Sequence, residues 1–476
     1  MDLPDALGSS PDPWSAAPFV DSREVVAATG RLVDASLVHD LLVPPADGRY
    51  RARILTIERV FFALLQFVLG RFHSFAALVS ALRAGTVGGL GPIAVSNRAF
   101  TLRLESLPHA SFLAVLVGLT ARLRTFAVPG REWVRALAPF ATGLYAIDDT
   151  TLDALARKVA TLAQHPKGAP ETLAGRLGAA LDLVTGQVAA VLYDTDALAN
   201  EKNHLLPLVE VLGAGALVVM DLGYFSFALF DALSERYVYW VSRLRAKTSM
   251  VVIATLADRP GYRDRIVYLG AWAADRAAYP VRCVELEVDG TSYAWLTNVL
   301  EPRMLSAADL WALYGQRWTI EVAFAALKRG LGLAYLRACH TNGVLIQVWC
   351  ALCVYQVLQH LRLVVAASQG WEADRVSWER LIRGIGFYAQ LQSPLPLVEY
   401  LCTPVQAREL AKQGTRVRRK DLSPKVRAAC EPTPSLPDDL DLKARKPRHG
   451  KPEARTKQTI TVVAGLQLLR GPTGFT

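Results

Sequence analysis

Three kinds of acidic position carry the chemistry available to this sequence. Asp148 closes the apolar run at 144–147 and is followed by Asp149-Thr150-Thr151-Leu152. Asp221 closes the run Ala216-Leu217-Val218-Val219-Met220 and is followed by Leu222-Gly223-Tyr224-Phe225-Ser226. Glu321 lies in the stretch 314–328, which reads YGQRWTIEVAFAALK. Carboxylates are hard oxygen ligands that suit magnesium or manganese, ions that keep waters and phosphate oxygens in their shell. Two such ions held about 4 Å apart activate a water or a 3′-hydroxyl on one side of a phosphorus and stabilise the leaving oxygen on the other. The chemistry is that of a phosphodiester. Successive strand residues point to opposite sides, so only one of Asp148 and Asp149 can take part.

Residues 310–329 contain no proline and read as one helix. At 3.6 residues per turn, Tyr314, Arg317, Glu321 and Lys328 project within about 60° of one another. This polar line is about 20 Å long at about 1.5 Å per residue, too long for one small substrate and suited to an extended charged polymer. Leu313, Ile320, Phe324, Leu327 and Leu331 form a separate apolar stripe that faces a core. Taken alone, Arg317 and Glu321 read first as an ordinary surface pair one turn apart, worth about 0.2–0.5 kcal/mol. Partners for Glu321 decide the matter.

The surrounding elements supply them. After the strand at 144–147 come a Pro- and Gly-containing loop around 166–170 and two strand-like runs, 177–184 and 187–192, joined at Thr185-Gly186. A helix at 200–212 and the apolar strand 216–220 follow, then a helix at 227–236. A meander that accepts a parallel strand through a helical crossover sets the first and fourth strands side by side, so the acids at their ends become neighbours. Runs at 237–243, 265–269, 281–288 and 293–300, with Asp289-Gly290 as a hairpin turn, predict a β-rich insertion delivered before the helix of Glu321.

Upstream, 36–42, 54–69, 74–84, 96–104 and 110–123 read as helices, with Arg49, Arg51, Arg53, Arg98 and Arg103 near their turns. Residues 1–30 are rich in Asp, Pro, Ser and Ala and are expected to be disordered. The chain has 476 residues and a net charge of +10, of which +8 lies in 412–457, where 14 Lys and Arg face 6 Asp and Glu. Such a tail suits an anionic partner, and suits a solvated linker equally. Mean hydropathy is +0.22. The best membrane candidates fail on polarity: 54–72 carries Glu58, Arg59 and Arg71, and 344–365 contains Gln347, Gln356, Gln359, His360 and Arg362. The N-terminus carries no secretory leader pattern, so the expected location is cytoplasmic, nucleoid-associated when bound to DNA. Cys350 and Cys353 sit inside a continuous apolar helix at 345–363 and read as buried core residues rather than zinc ligands.

The run Tyr314-x2-Arg317-x3-Glu321-x6-Lys328 resembles the YREK signature of DDE transposases of the insertion-sequence-four group, bacterial cut-and-paste elements with a ribonuclease-H-like core. Residues 148–152 and 221–226 resemble the two aspartate motifs of that group, in the same order and with the same β-rich insertion before the glutamate. The resemblance covers roughly 30–400. It implies an α/β fold, a ribonuclease-H-like mixed sheet with flanking helices, interrupted by a β insertion and preceded by an all-helical domain. The implied division is 31–128 for a helical DNA-binding domain, 129–236 and 301–402 for the catalytic core, 237–300 for the insertion and 403–476 for a basic tail.

It further implies Asp148, Asp221 and Glu321 as catalytic residues and ligands of two Mg²⁺ or Mn²⁺ ions, with Asp149 as the alternative to Asp148. Arg317 can then reach phosphates beside the scissile bond, and Lys328, about 10 Å further along the helix, another phosphate. Tyr314 bonds the DNA backbone, and Trp318 packs on a sugar or base. Tyr293 resembles in placement an aromatic residue that stacks on a flipped base in some relatives, and Arg243 and Arg245 follow a strand end where transposon-end DNA would lie. The implied activity is metal-dependent DNA end cleavage and strand transfer on double-stranded DNA, at terminal inverted repeats and target, by a homodimer without membrane attachment. The alternative is a catalytically inactive DNA-binding protein derived from a transposase.

Overall fold

The computed structural model describes residues 54–153, 173–412, 422–447 and 461–465, apart from breaks at 73, 88–89, 127, 272–274, 335, 339 and 389–393. Residues 1–30, the helix expected at 36–42, Arg49, Arg51, Arg53, the loop at 166–170 and, in the basic tail, 413–421, 448–460 and 466–476 lie outside the described residues.

Hydroxyl side chains start the first helices. Thr56 accepts from the Arg59 N–H ahead of α1 (Ile57–Gln66), Ser74 from Ala77 ahead of α2 (Phe75–Ala84), and Ser96 from Ala99 ahead of α3 (Asn97–Ser106). A fourth helix, α4 (His109–Thr125), buries Phe112, Val115, Leu116 and Leu119. Helices α1, α3 and α4 pack on the long helix Thr341–Ser368, where Asn342 accepts from His109 N–H (3.2 Å) and donates to the carbonyls of Leu104 (2.9 Å) and Glu105 (3.2 Å).

The sheet begins with β1 (Leu144–Asp153), whose side chains alternate between two cores. Leu144 and Ala146 enter one, Tyr145 and Ile147 the other. The hairpin β2 (Leu173–Asp182) and β3 (Val188–Asp194) pairs antiparallel beside it, turned at Gly186 with φ 70°. Helix α5 (Lys202–Leu212) crosses over to β4 (Leu217–Val219), which runs parallel to β1, and α6 (Phe227–Glu235) leads to β5 (Tyr239–Arg243), parallel to β4. The order β3-β2-β1-β4-β5 is the ribonuclease-H-like arrangement, so the first and fourth strands do lie side by side.

The sheet continues through β6 (Met250–Arg259), β7 (Tyr262–Leu269), β8 (Pro280–Val288) and β9 (Thr291–Thr297), with β9 joined to β5 and β6 at the far edge. With β10 (Thr461–Gly465) against β3, ten strands among the described residues form one sheet.

Three helices return the chain to the site: α7 (Ala307–Gly315), α8 (Trp318–Ala325) and α9 (Thr341–Ser368). Helix α9 has the length and apolarity of a membrane span, yet it is buried in the protein core, with Cys350 and Cys353 inside it. Its Gln356 bonds both the N–H (3.0 Å) and the carbonyl (2.8 Å) of Val188, which clamps the helix to the β3 hairpin.

The one helix expected over 310–329 is interrupted. At the junction the backbone bonds shorten to a three-residue step, Arg317 to Tyr314 (3.1 Å), Thr319 to Gln316 (2.9 Å) and Ile320 to Arg317 (3.2 Å), and the far end widens into a π turn at Ala326–Gly330. The buried Arg131 guanidinium lies under this junction and donates to the Gln316 and Thr319 side chains, both at 3.3 Å.

Candidate active site

Residues Leu144, Tyr145 and Ala146 of β1 stand opposite Leu217, Val218 and Val219 of β4. Carried on at the same offset, this register brings Asp148 level with Asp221. Level residues on neighbouring parallel strands project to the same face, here the face of Leu144, Ala146, Leu217 and Val219. Helix α8 packs on that face through Ile320, Ala323 and Phe324, and it carries Glu321.

Arg317 links the acids. Its guanidinium lies 2.7 Å from Glu321 and 3.9 Å from Asp148, with side chains 13%, 34% and 17% exposed respectively. Burial, with the Asp221 charge adding to it, pushes the Asp148 carboxyl up to about 7, against the opposing pull of the Asp149 N–H and Arg317. Asp221 accepts from the Gly223 N–H (2.8 Å), which caps the short turn Leu222–Tyr224.

The remaining expected contact residues fall into two groups. Tyr314 is half-buried, its phenol pushed up by burial and drawn back by Arg317 and Arg243 beside it. Tyr293 stacks on Trp295 (5.9 Å between centroids) and meets Trp311 edge-on (5.2 Å), while Arg243 lies over its ring at 5.9 Å. Arg245 packs over Phe225 at 4.9 Å and donates to the Leu222 carbonyl (3.4 Å), next to Asp221. Trp318 is exposed, 63%, with Arg317 against its ring at 5.4 Å. Lys328 is partly buried in the π turn, one element beyond the others.

Asp149 points the other way. It is fully buried, accepts from Arg176 Nε (2.9 Å) and from the Tyr224 hydroxyl (2.8 Å), and is bonded to His204 Nδ1. His204 Nε2 meets Asp194 at 3.1 Å, and Arg176 also holds Glu201 at 2.9 Å. Glu201 is raised by burial and then by the nearby Asp221 charge. Gly178 faces Asp149 across the ladder, where a Cβ would come within 2.7 Å of its Oδ1. Sequence reasoning missed this cluster. Tyr224 stood inside the second aspartate motif, but Arg176, Asp194 and His204 come from separate elements, and no spacing connects them.

The donor set of Asp148, Asp221 and Glu321 is all hard oxygen and fits a divalent cation in kind. Among the described residues no group of three His, Cys, Asp or Glu side chains is placed to hold a metal ion, and Arg317 lies against both Glu321 and Asp148.

The raised Asp148 carboxyl has a measurable consequence. Its folded value near 7 exceeds the ordinary carboxylate range, so the unfolded chain releases this proton first, and ionising Asp148 in the folded protein costs stability as pH rises from about 4 to 7. Asp148→Asn removes that cost. In chelator at pH 8 the variant is expected to unfold at a higher temperature than the parent, with the gain vanishing towards pH 4. A gain equal at both pH values would contradict the assignment, and thermal unfolding at the two pH values measures it.

Residues 140–357 match the family model for the transposase DDE domain, which spans both aspartates and Glu321, and such domains use divalent metal ions. The chain is similar to transposase InsG of insertion sequence element IS4 from Escherichia coli K12, 22% identical over 85% of this chain and 92% of InsG. Among solved structures it is similar to the piggyBac transposase synaptic complex with hairpin DNA, with a TM-score of 0.39 and 11% identity over 85% of this chain and 86% of that one.

Proposed function

We propose that this protein is the transposase of a bacterial insertion sequence, which binds terminal inverted repeats, cleaves the DNA ends and joins them to target DNA. The single observation that carries this reading is the gathering of the three acids: Arg317 reaches both Glu321 and Asp148, and the Asp221 charge acts on Asp148. Asp148, Asp221 and Glu321 would hold two Mg²⁺ or Mn²⁺ ions. Bound there, the ions supply Lewis acidity to the attacking oxygen and the leaving oxygen.

Arg317 is placed to exchange its carboxylate partners for a phosphate beside the scissile bond, since a guanidinium binds either in the same forked geometry. Tyr314 and Arg243 lie beside it and extend the contact along the DNA backbone. Trp318 and Tyr293 offer aromatic faces, and Arg245 and Lys328 further cations, along the same track. The helices before β1 bind the end sequence, two copies pair two ends, and the protein works in the cytoplasm on nucleoid DNA. InsG, named for an insertion sequence, and the family match over both aspartates and Glu321 support this reading.

Replacing the two adjacent acids separately tests it. Asp148→Asn is expected to lose cleavage of a cognate DNA end at every metal concentration, whereas Asp149→Asn keeps measurable cleavage at high metal. Equal activity of the two variants would refute the assignment.

A further inference from the structure

The pairing between β1 and β4 ends at Ala146 and Val219. Asp148 and Asp221 both lie past that point, where no ladder bond between their strands sets their separation. Carboxylates that share metal ions need a fixed spacing, because Mg²⁺ accepts only near-octahedral geometry. Something other than the β1–β4 ladder has to hold the two strand ends at one distance.

On the opposite face the two ends are joined directly. Tyr224, three residues after Asp221, donates its hydroxyl to Asp149, the neighbour of Asp148, at 2.8 Å, and both side chains are fully buried. The turn carrying Tyr224 is itself fastened to Asp221 by the Gly223 N–H at 2.8 Å. A second link runs in parallel. Arg176 grips Asp149 and Glu201 together, each at 2.9 Å, and Glu201 lies so close to Gly223 that a Cβ there would come within 1.7 Å of its Oε1. His204 completes the grip on Asp149 and ties it to Asp194 on β3.

We propose that Asp149 is a positioning residue: clamped by Tyr224, Arg176 and His204 behind the sheet, it fixes the spacing of Asp148 and Asp221 on the front. The inference rests on the reading of Asp148 and Asp221 as the metal-holding pair. It assigns a use to the second acid of the Asp148-Asp149 pair that is separate from ligation. Buried ionic clusters contribute little net stability compared with apolar packing, so a cluster of two ion pairs and a doubly bonded histidine directly behind the site is better explained by the geometry it imposes. Groups that orient metal ligands change metal affinity by about 10- to 100-fold when removed.

The test is Mn²⁺ binding to the purified full-length chain without DNA, followed by the electron paramagnetic resonance of free Mn²⁺, alongside thermal unfolding in chelator. Tyr224→Phe removes one hydroxyl and no volume. It is expected to unfold within a few degrees of the parent, to bind Mn²⁺ about tenfold more weakly, and to regain DNA end cleavage when metal is raised by the same factor. Asp149→Asn, which keeps an acceptor for Tyr224 but loses its charge towards Arg176 and His204, is expected to shift binding in the same direction and decides the matter if Tyr224→Phe does not fold. Parental Mn²⁺ binding by these variants would overturn the proposal, as would a cleavage defect that added metal does not reverse. Asp148→Asn separates this failure from failure of the functional reading: parental Mn²⁺ binding by that variant would sink the metal site itself.

Discussion

Glu321→Ala is expected to bind DNA ends as the parent does and to cleave them about a thousandfold more slowly, equivalent to about 4 kcal/mol of lost transition-state stabilisation. The two effects separate because of where the side chain stands. Glu321 is a third exposed, and it pairs with Arg317, one turn away at 2.7 Å. Arg317 keeps Asp148 as a partner when Glu321 is removed, so the fold and the helices before β1 are expected to be retained. The same deletion removes one of three oxygen ligands from the proposed metal site. Arg317 is left facing Asp148 alone, at 3.9 Å, and its positive charge then favours the anionic DNA backbone. Gel-shift binding and end cleavage, measured on the same preparation, give the two numbers.

Asp264→Ala is expected to have the largest effect on folding, a loss of about 3–5 kcal/mol, the usual result of stranding one partner of a buried ion pair. Arg282 and Asp264 are both fully buried. The guanidinium donates Nε to Asp264 at 2.9 Å and Nη2 at 2.7 Å, and Tyr262 donates to the same carboxylate at 2.8 Å. A second arm of Arg282 bonds the carbonyl of Leu305, immediately before Ser306, whose hydroxyl caps α7. The pair therefore joins the β7–β8 extension of the sheet to the helix that leads to Arg317 and Glu321. Replacing both partners, Asp264→Leu with Arg282→Met, leaves no stranded charge and is expected to be far milder than Asp264→Ala alone. Denaturant unfolding of the single and double variants measures this, and a loss below about 1 kcal/mol for Asp264→Ala would contradict the buried pairing.

The neighbouring of β1 and β4 is legible in the sequence, because an apolar run ending in Asp recurs after a hairpin and a crossover helix, and connection rules leave few ways to join such pieces. The polar line of Tyr314, Arg317, Glu321 and Lys328 was legible from helical spacing, although its helix breaks at Gln316–Arg317. The break falls just after Gly315, a poor helix former, and Arg131, 185 residues before Gln316, bonds the side chains on either side of it. β6 escaped notice for a different reason. Its register with β7 shifts between Val252 and Ala254 and again between Thr255 and Ala257, so the apolar alternation that marks a strand is interrupted twice. β1 runs past 147 to Asp153 because β2 pairs with its acidic half, a partner supplied by tertiary structure and not by the propensity of Asp and Thr. Sequence left Asp148 and Asp149 as alternatives. Their surroundings differ sharply, one beside Arg317 and Asp221, the other enclosed by Arg176, His204 and Tyr224.

The most direct measurement is cleavage of duplexes taken from the DNA that flanks the coding region, with the parent protein and Glu321→Ala, in Mg²⁺ and in chelator. The parent is expected to cut at the element boundary in Mg²⁺ and not in chelator, and Glu321→Ala to bind the same duplex without cutting it. Cutting by Glu321→Ala, or by the parent in chelator, would contradict a metal site built on Asp148, Asp221 and Glu321.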